Sequence, residues 1–313
     1  MRSRRALHAI GICSNGLVTE MISLGQYPLV SIGMSVRNCQ ATLPLAVASI
    51  VAQTYANWEL LLIDDGSMDQ TLEVARRFVD PRIKIYADGE SRGLPYRLNQ
   101  ALELSRGQLF ARMDGDDMAY PQRLERQVAY LKAHPAVDVI GSSIMYFQRD
   151  GMARGKRLAP ETHRAICSRP ADGFPMAHPT YVGHLAWFRR FQYDETAIRC
   201  EDQDLLLRAH SASTFGNIPE ILLGYRQEKL GLRKTLRGRR SYVRSAIREL
   251  GPRGRLWQSL RIVIAQGSRA AVEVVFVTIG MEEQLLQRRA QALTTEEKVA
   301  WVEARTRVKQ CIQ

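Results

Sequence analysis

Four short apolar runs, each closed by polar or acidic residues and each followed by a segment of helical spacing, constrain the fold of this chain most. Leu29 to Val36 is β-branched and stops at Arg37-Asn38. Trp58 to Ile63 stops at Asp64-Asp65-Gly66-Ser67, and Ile83 to Tyr86 leads into the loop Asp88 to Gly93. Leu109 to Met113 runs directly into Asp114-Gly115-Asp116-Asp117. Between the first two runs, Thr42 to Thr54 carries Leu43, Val47, Ile50 and Val51 on one helical face. Helices are also predicted over about Gln70 to Phe78, Pro95 to Ser105 and Arg123 to Ala133, the last with Pro121 in its first turn. Such a βαβαβαβ order predicts an α/β fold with a doubly wound, mostly parallel sheet. Right-handed crossovers then bring Asp64-Asp65 and Asp114 to Asp117 to one edge of it. That edge is where open α/β sheets bind ligands.

Three carboxylates around one glycine repel one another unless a cation is near. A hard divalent ion, held by one or two carboxylates and completed by water and phosphate oxygens, suits them. The same residues also suit a polar turn with a helix cap, since Asp-Gly is a common turn pair. Asp64-Asp65-Gly66 reads likewise as a turn, with Ser67 or Asp69 as the cap. Neither Gly-x-x-x-x-Gly-Lys-Ser/Thr nor Gly-x-Gly-x-x-Gly occurs. Any phosphate bound at this edge is therefore held through a metal and not through a glycine cradle.

With 313 residues, 45% of them hydrophobic and 24% charged, the chain has the composition of a globular protein large enough for one big domain and an appendage. Cys13, Cys39, Cys167, Cys200 and Cys311 form no Cys-x-x-Cys pair, which argues against a zinc site or a disulfide framework and for a reducing compartment. The most apolar stretch, Ala270 to Met281, is too short to span a bilayer and contains Glu273. Residues 1–27 are basic at the start but lack a signal-peptide core, and read as a poorly ordered leader. The net charge of +12 is uneven: residues 223–313 hold 19 Lys and Arg against 8 Asp and Glu, the preceding residues 25 against 24. A basic tail of this kind suits an anionic surface.

Six segments in order carry a resemblance: Pro28 to Asn38, Ser49 to Tyr55, Trp58 to Ser67, Met113 to Asp117, Pro121 to Leu124, and Tyr193-Asp-Glu195 with Glu201 to Leu205. Together they resemble the family 2 glycosyltransferases of the GT-A fold, of the kind that builds bacterial cell-surface glycans, over roughly Pro28 to Arg226. The resemblance implies a catalytic domain over 28–226, with a nucleotide-sugar half at 28–117 and an acceptor half at 118–226, and leaves 227–313 as a basic, mainly helical extension. It implies that Asp65 contacts the nucleotide base and that Ser35 offers an oxygen or its backbone there. It places Asp114 near the ribose, Asp116 on Mg²⁺ or Mn²⁺, and Asp202 as the base that deprotonates the acceptor hydroxyl. Arg97, or else Arg92, stands where related sequences carry a donor-facing basic residue. The implied reaction moves one sugar from a nucleotide-sugar donor to a glycan or lipid-linked acceptor, inverting the anomeric carbon in a single displacement.

The chemistry agrees with those roles. A metal neutralises charge on a nucleoside diphosphate leaving group, and a positioned carboxylate accepts the proton of a high-pKa hydroxyl. Arg37 replaces the aromatic residue usual in related sequences, and its guanidinium can stack on a base. No Gln-x-x-Arg-Trp and no long membrane helices follow, which argues against processive synthesis. A nucleotidyltransferase would want a glycine-rich loop and a lysine near the first strand; Arg37-Asn38 supplies neither. A degenerate nucleotide-sugar-binding or membrane-tethering protein would not keep Asp65, Asp116 and Asp202. Glu201, His178, Trp58, Trp187 and Phe188 read as structural, and Arg226 as a residue that could face the diphosphate.

Between Arg226 and Arg261 the aromatics are only Tyr242 and Trp257, which argues against nucleic acid as the partner of the basic tail. Leu256 to Met281 mixes Trp257, Leu260, Ile264 and Val272 with Arg253, Arg255, Arg261 and Arg269, as an interfacial helix on an anionic leaflet would. The expected location is the cytoplasm, with attachment to the cytoplasmic face of the inner membrane.

Overall fold

The computed structural model describes residues 26–227, 231–252, 254, 256–281, 284–285 and 290–312. Most of the expected leader (1–25), and Arg253 and Arg255 of the expected interfacial segment, lie outside them. The first half is the predicted alternation: β1 Val30–Val36, α1 Leu43–Val51, β2 Trp58–Asp64, α2 Thr71–Arg76, β3 Ile83–Ala87, α3 Leu94–Leu104 and β4 Leu109–Asp114. There follow β5 Met118–Ala119, α4 Arg123–Ala133, β6 Val139–Phe147, β7 Ala153–Arg157, α5 His163–Ile166, β8 Val182–His184, α6 Leu185–Phe191, α7 Glu201–Ala209 and β9 Phe215–Arg226. Three helices come last: α8 Leu232–Leu250, α9 Leu256–Thr278 and α10 Thr295–Gln310.

All nine strands join one sheet, in the order β3-β2-β1-β4-β8-β6-β9-β5 with β7 added on β6. β1 to β4 are mutually parallel, as are β6 and β9, whereas β5, β7 and β8 pair antiparallel. The chain moves outward from β1 to β2 and β3, then returns across to β4 on the other side of β1. The order therefore reverses at β1/β4, where an open α/β sheet leaves a crevice beyond its strand ends.

Alternation within the strands divides the core between the two faces. Val30, Ile32, Met34 and Val36 of β1, with Leu60 and Leu62 of β2 and Leu109, Ala111 and Met113 of β4, pack under α1, α2 and α4. Phe110 points the other way and joins Leu98 and Leu102 of α3, Phe188 of α6, Leu205 of α7 and Tyr242 of α8. Each large apolar side chain so buried contributes about 1.5–3 kcal/mol.

α1 falls inside its predicted limits because side chains pull the backbone away, whereas α3 starts one residue before its predicted limit. α1 stops at Val51 because Gln53 Nε2 donates to Ser49 O and Tyr120 O and Thr54 N donates to Pro121 O, tying this turn to the loop before α4. Pro121 itself lies just before α4. At α3 the N-cap is Gly93 with φ +93°, which an L side chain would strain, and Pro95 occupies the first turn, where no N–H is needed. α10 begins with a capping box between Thr294 and Glu297, and Glu297 also pairs with Lys156 of β7 at 2.6 Å. No helix among the described residues is long and apolar enough to cross a membrane.

Candidate active site

Asp65 lies just past β2, buried to 4% exposure, and gathers the loop before α3 around its carboxylate. Oδ1 accepts from Arg92 N (2.7 Å), Gly93 N (3.0 Å) and Arg97 Nε (3.0 Å), and Oδ2 from Ser91 Oγ (3.2 Å) and Gly93 N (3.1 Å). Arg37, exposed at the end of β1, donates to Ser91 Oγ and stands 4.0 Å from Asp65 Oδ2. Arg97 lies beneath this arrangement and does not face a ligand. Its Nη1 donates to Asp88 and Gln100 at 2.9 Å, its Nη2 to Asp88 at 2.6 Å and to Glu90 O, so its five N–H groups are spent within the protein. The expectation of a donor-facing Arg97 is corrected on that geometry: it positions Asp65 and the loop. Arg92 is the exposed alternative, with its guanidinium on Glu90 and over the Tyr96 ring.

Ser67 does not cap α2. Its Oγ accepts from Asn38 N (3.0 Å) while Asn38 Oδ1 accepts from Met68 N (2.9 Å), which laces the β1 and β2 ends together. Asp69 does accept from Thr71 N, at 3.0 Å, in the first turn of α2. Ser35 is half-buried near the end of β1, in register with Asp114 of β4. The structure thus gathers Ser35, Asp65 and Asp114 at the switch point.

Beyond β4, Asp114, Asp116 and Asp117 each present an oxygen within 4.8 Å of the others. Arg112, buried in the strand, donates to Asp114 Oδ2. Asp117 is fully buried, with Oδ1 accepting from Arg226 N at 2.8 Å and Oδ2 without a hydrogen-bond partner among the described residues. Burial, then the charges of Asp114 and Asp116, hold its carboxyl well above the usual range. Asp116 is exposed as a residue, but crowding of its carboxyl by protein atoms and the charge of Asp114 push it up to about 6. A crowded triad with an unpartnered buried oxygen is chemistry that a hard divalent cation resolves. Through its bond from Arg226 N, Asp117 also pins the end of β9 to the site.

Asp202 sits in the first turn of α7, half-buried, with Oδ2 accepting from Gln203 Nε2 at 3.0 Å. Glu201 beside it is buried, and burial followed by the Asp202 charge pushes its carboxyl up to about 7. Tyr193 is buried nearby: burial, with the charges of Asp202, Glu201 and Asp114, pushes its phenol well up against the opposing charge of Arg112. Its hydroxyl meets His178 Nε2 at 2.9 Å, and burial beside Arg112 holds His178 neutral. His178 is therefore a satisfied structural residue, and Trp187 and Phe188 are core.

Two arginines escaped notice in the sequence. Arg112 stands in the middle of the apolar run Leu109 to Met113, and that anomaly was the available signal. Arg123, 1% exposed, donates to Arg112 O (2.8 Å) and Gln127 Oε1 (3.0 Å), bracing the β4 backbone. Arg226 donates from Nε to Asp116 O at 2.9 Å and lies 4.6 Å from the centre of the Phe147 ring.

A family model described as Glycosyl transferase family 2 matches residues 31–196, more than half of the chain. The putative glycosyltransferase EpsE of Bacillus subtilis (strain 168) is 35% identical over 208 residues, covering 64% of this chain and 74% of the relative. An Escherichia coli protein named UDP-Glc:alpha-D-GlcNAc-diphosphoundecaprenol beta-1,3-glucosyltransferase WfgD is 38% identical over 103 residues, 33% of this chain and 41% of the relative. Among solved structures, the mannosyltransferase PcManGT from Pyrobaculum calidifontis, in complex with GDP-Man and Mn²⁺, superposes with a TM-score of 0.56 at 15% identity. That match covers 91% of this chain and 86% of that one, and shows the shared fold.

Proposed function

The chain belongs to glycosyl transferase family 2, as a glycosyltransferase acting on nucleotide-sugar donors, and we propose that it moves a single sugar to a lipid-linked glycan acceptor by an inverting, metal-dependent displacement. The observation that carries this reading is the convergence of Ser35, Asp65 and Asp114 at the ends of β1, β2 and β4, with the carboxylate triad around Asp114. On this reading residues 28–117 hold the donor, 118–226 the acceptor, and 227–313 form the basic extension.

Asp65, fixed from behind by Arg97, keeps an oxygen toward Arg37 for the base of the nucleotide. Asp114 faces the ribose side. Asp116, joined by the unpartnered oxygen of Asp117, would hold Mg²⁺ or Mn²⁺; PcManGT was solved with Mn²⁺ and GDP-Man. When bound, such an ion offsets the negative charge that gathers on the departing diphosphate. Asp202 takes the proton of the attacking acceptor hydroxyl at its carboxylate, and Gln203 holds that carboxylate in one orientation. Attack opposite the leaving group inverts the anomeric centre.

The named acceptor class of WfgD, a sugar on diphosphoundecaprenol, is the model for a lipid-linked acceptor here. α9 suits a place on an anionic leaflet: Ser259, Ile262, Gln266 and Glu273 turn inward, while Trp257 (79% exposed) and Ile264 (62%) face out. Screening UDP-, GDP- and dTDP-sugars with Mn²⁺ or Mg²⁺ against EDTA, with a lipid-diphosphate-linked sugar as acceptor, tests the proposal. Metal-dependent transfer from one donor is expected; equal transfer in EDTA would remove the metal from the account.

A further inference from the structure

A cavity of about 580 Å³ lies between the catalytic fold and the helices α8 and α9. Arg157, Arg169, Arg199 and Lys234 line it, together with Arg239 and Arg269. The last two have counter-charges. Arg239 donates to both oxygens of Glu273, at 2.6 and 2.8 Å, and Arg269 pairs with Asp172 at 2.9 Å. Among the described residues the other four make no ion pair, and Asp172 is the one acidic residue of the lining. Like charges around one concavity raise its affinity for an anion.

One helix start adds to that field. The first turn of α8 (Lys234, Thr235) borders the cavity, its N-cap Gly231 is closed by no side chain and it holds no acidic residue, whereas the first turn of α7, which also borders the cavity, carries Glu201, Asp202 and Asp204 against its own dipole. A turn like that of α8 presents backbone N–H groups and the positive end of the helix dipole. Arg199 is held there in a left-handed conformation, φ +68°, which costs free energy in a residue other than glycine. α8 presses on it so closely that a Cβ on Gly238 would come within 2.7 Å of Arg199 O.

The cavity also adjoins the proposed base. Gln203 lines it and donates to Asp202. On its far side it is bordered by Gln266 and Arg269 of α9, the helix whose apolar face is exposed.

We propose that this cavity binds the diphosphate of the acceptor, leaving the acceptor's sugar at Asp202 and its hydrocarbon chain toward the outer face of α9. The proposal rests on the lipid-linked reading above. Guanidinium groups grip phosphate oxygens in pairs, and the volume exceeds what the diphosphate alone fills, leaving room for the first sugar.

Farnesyl diphosphate is the probe, titrated into the intact protein by calorimetry in EDTA, so that no metal draws it to the donor site. Arg169→Ala with Lys234→Ala is expected to weaken binding at least tenfold, while Asp116→Asn binds like the unaltered chain. No binding by the unaltered chain, or equal binding by the double variant, overturns the assignment. So would phosphatidylglycerol vesicles whose binding drops tenfold in the double variant but resists competition by farnesyl diphosphate, since the cavity would then hold a phospholipid headgroup. Donor turnover is read separately: a chain that transfers sugar yet ignores farnesyl diphosphate overturns the cavity alone, and one that binds it in the cavity without turning over any nucleotide sugar overturns the transferase mechanism alone.

Discussion

Arg97 shows how a charged residue can serve a site without touching its ligand. It is 1% exposed, and its ion pairs with Asp65 and Asp88 fix the loop that frames the crevice beyond β2. Glu201 offers a titration that can be followed. Its folded value of about 7 lies above the ordinary 4.5, so the protonated form is the one the fold favours. Its contribution to stability is complete below about 4.5 and is lost as pH rises through 7. Unfolding of the intact chain and of Glu201→Gln at pH 5 and pH 8 is expected to show the variant gaining on the order of 2–3 kcal/mol relative to the parent at the higher pH; an unchanged difference would refute the burial argument. That Asp64-Asp65 and Asp114 to Asp117 stand together at one sheet edge was legible in the sequence, because the βαβ order carries both strand ends there; which carboxylate does what was only implied by the resemblance. The inward turn of Arg97 was not legible, since it depends on where the Asp88 loop folds back. Asp117 and Arg226 meet across a gap in sequence that no local pattern spans.

At the scale of elements, β1 to β4 and their helices were readable because hydrophobic period and strand-end polarity agree in each. The mixed half was not. β8 has three residues and β5 two, too short for a period to register, and β6 is buried at every position. The docking of α10 was equally hidden. Trp301 packs on Phe147, with ring centroids 5.0 Å apart, and on Tyr120 at 5.9 Å, and donates to Gly151 O at 3.0 Å. Phe147 in turn carries Arg226, so this helix buttresses the side of the crevice that holds the carboxylate triad. Trp301→Ala is expected to cost about 3–5 kcal/mol in chemical denaturation. A loss below about 1 kcal/mol would mean that α10 is dispensable to the fold.

Across the whole molecule, chemistry and charge are divided. The sheet with its carboxylates is nearly neutral in sequence, and the last 91 residues carry the basic excess. α8 and α9 turn part of that excess into the cavity beside α7 and leave the apolar face of α9 outward. Flotation with phosphatidylglycerol vesicles at low salt is expected to carry the intact chain up, and Trp257→Glu with Ile264→Glu to leave it behind. Equal flotation would move the contact elsewhere. The central claim is that two carboxylates on different elements divide the work: Asp116 serves the metal-bound donor and Asp202 the acceptor proton. The most direct test is steady-state transfer by Asp116→Asn and Asp202→Asn across a metal titration. A loss of at least about 100-fold in kcat is expected for each, with donor KM kept in Asp202→Asn and the response to Mn²⁺ blunted in Asp116→Asn. Full turnover by either variant would contradict the account.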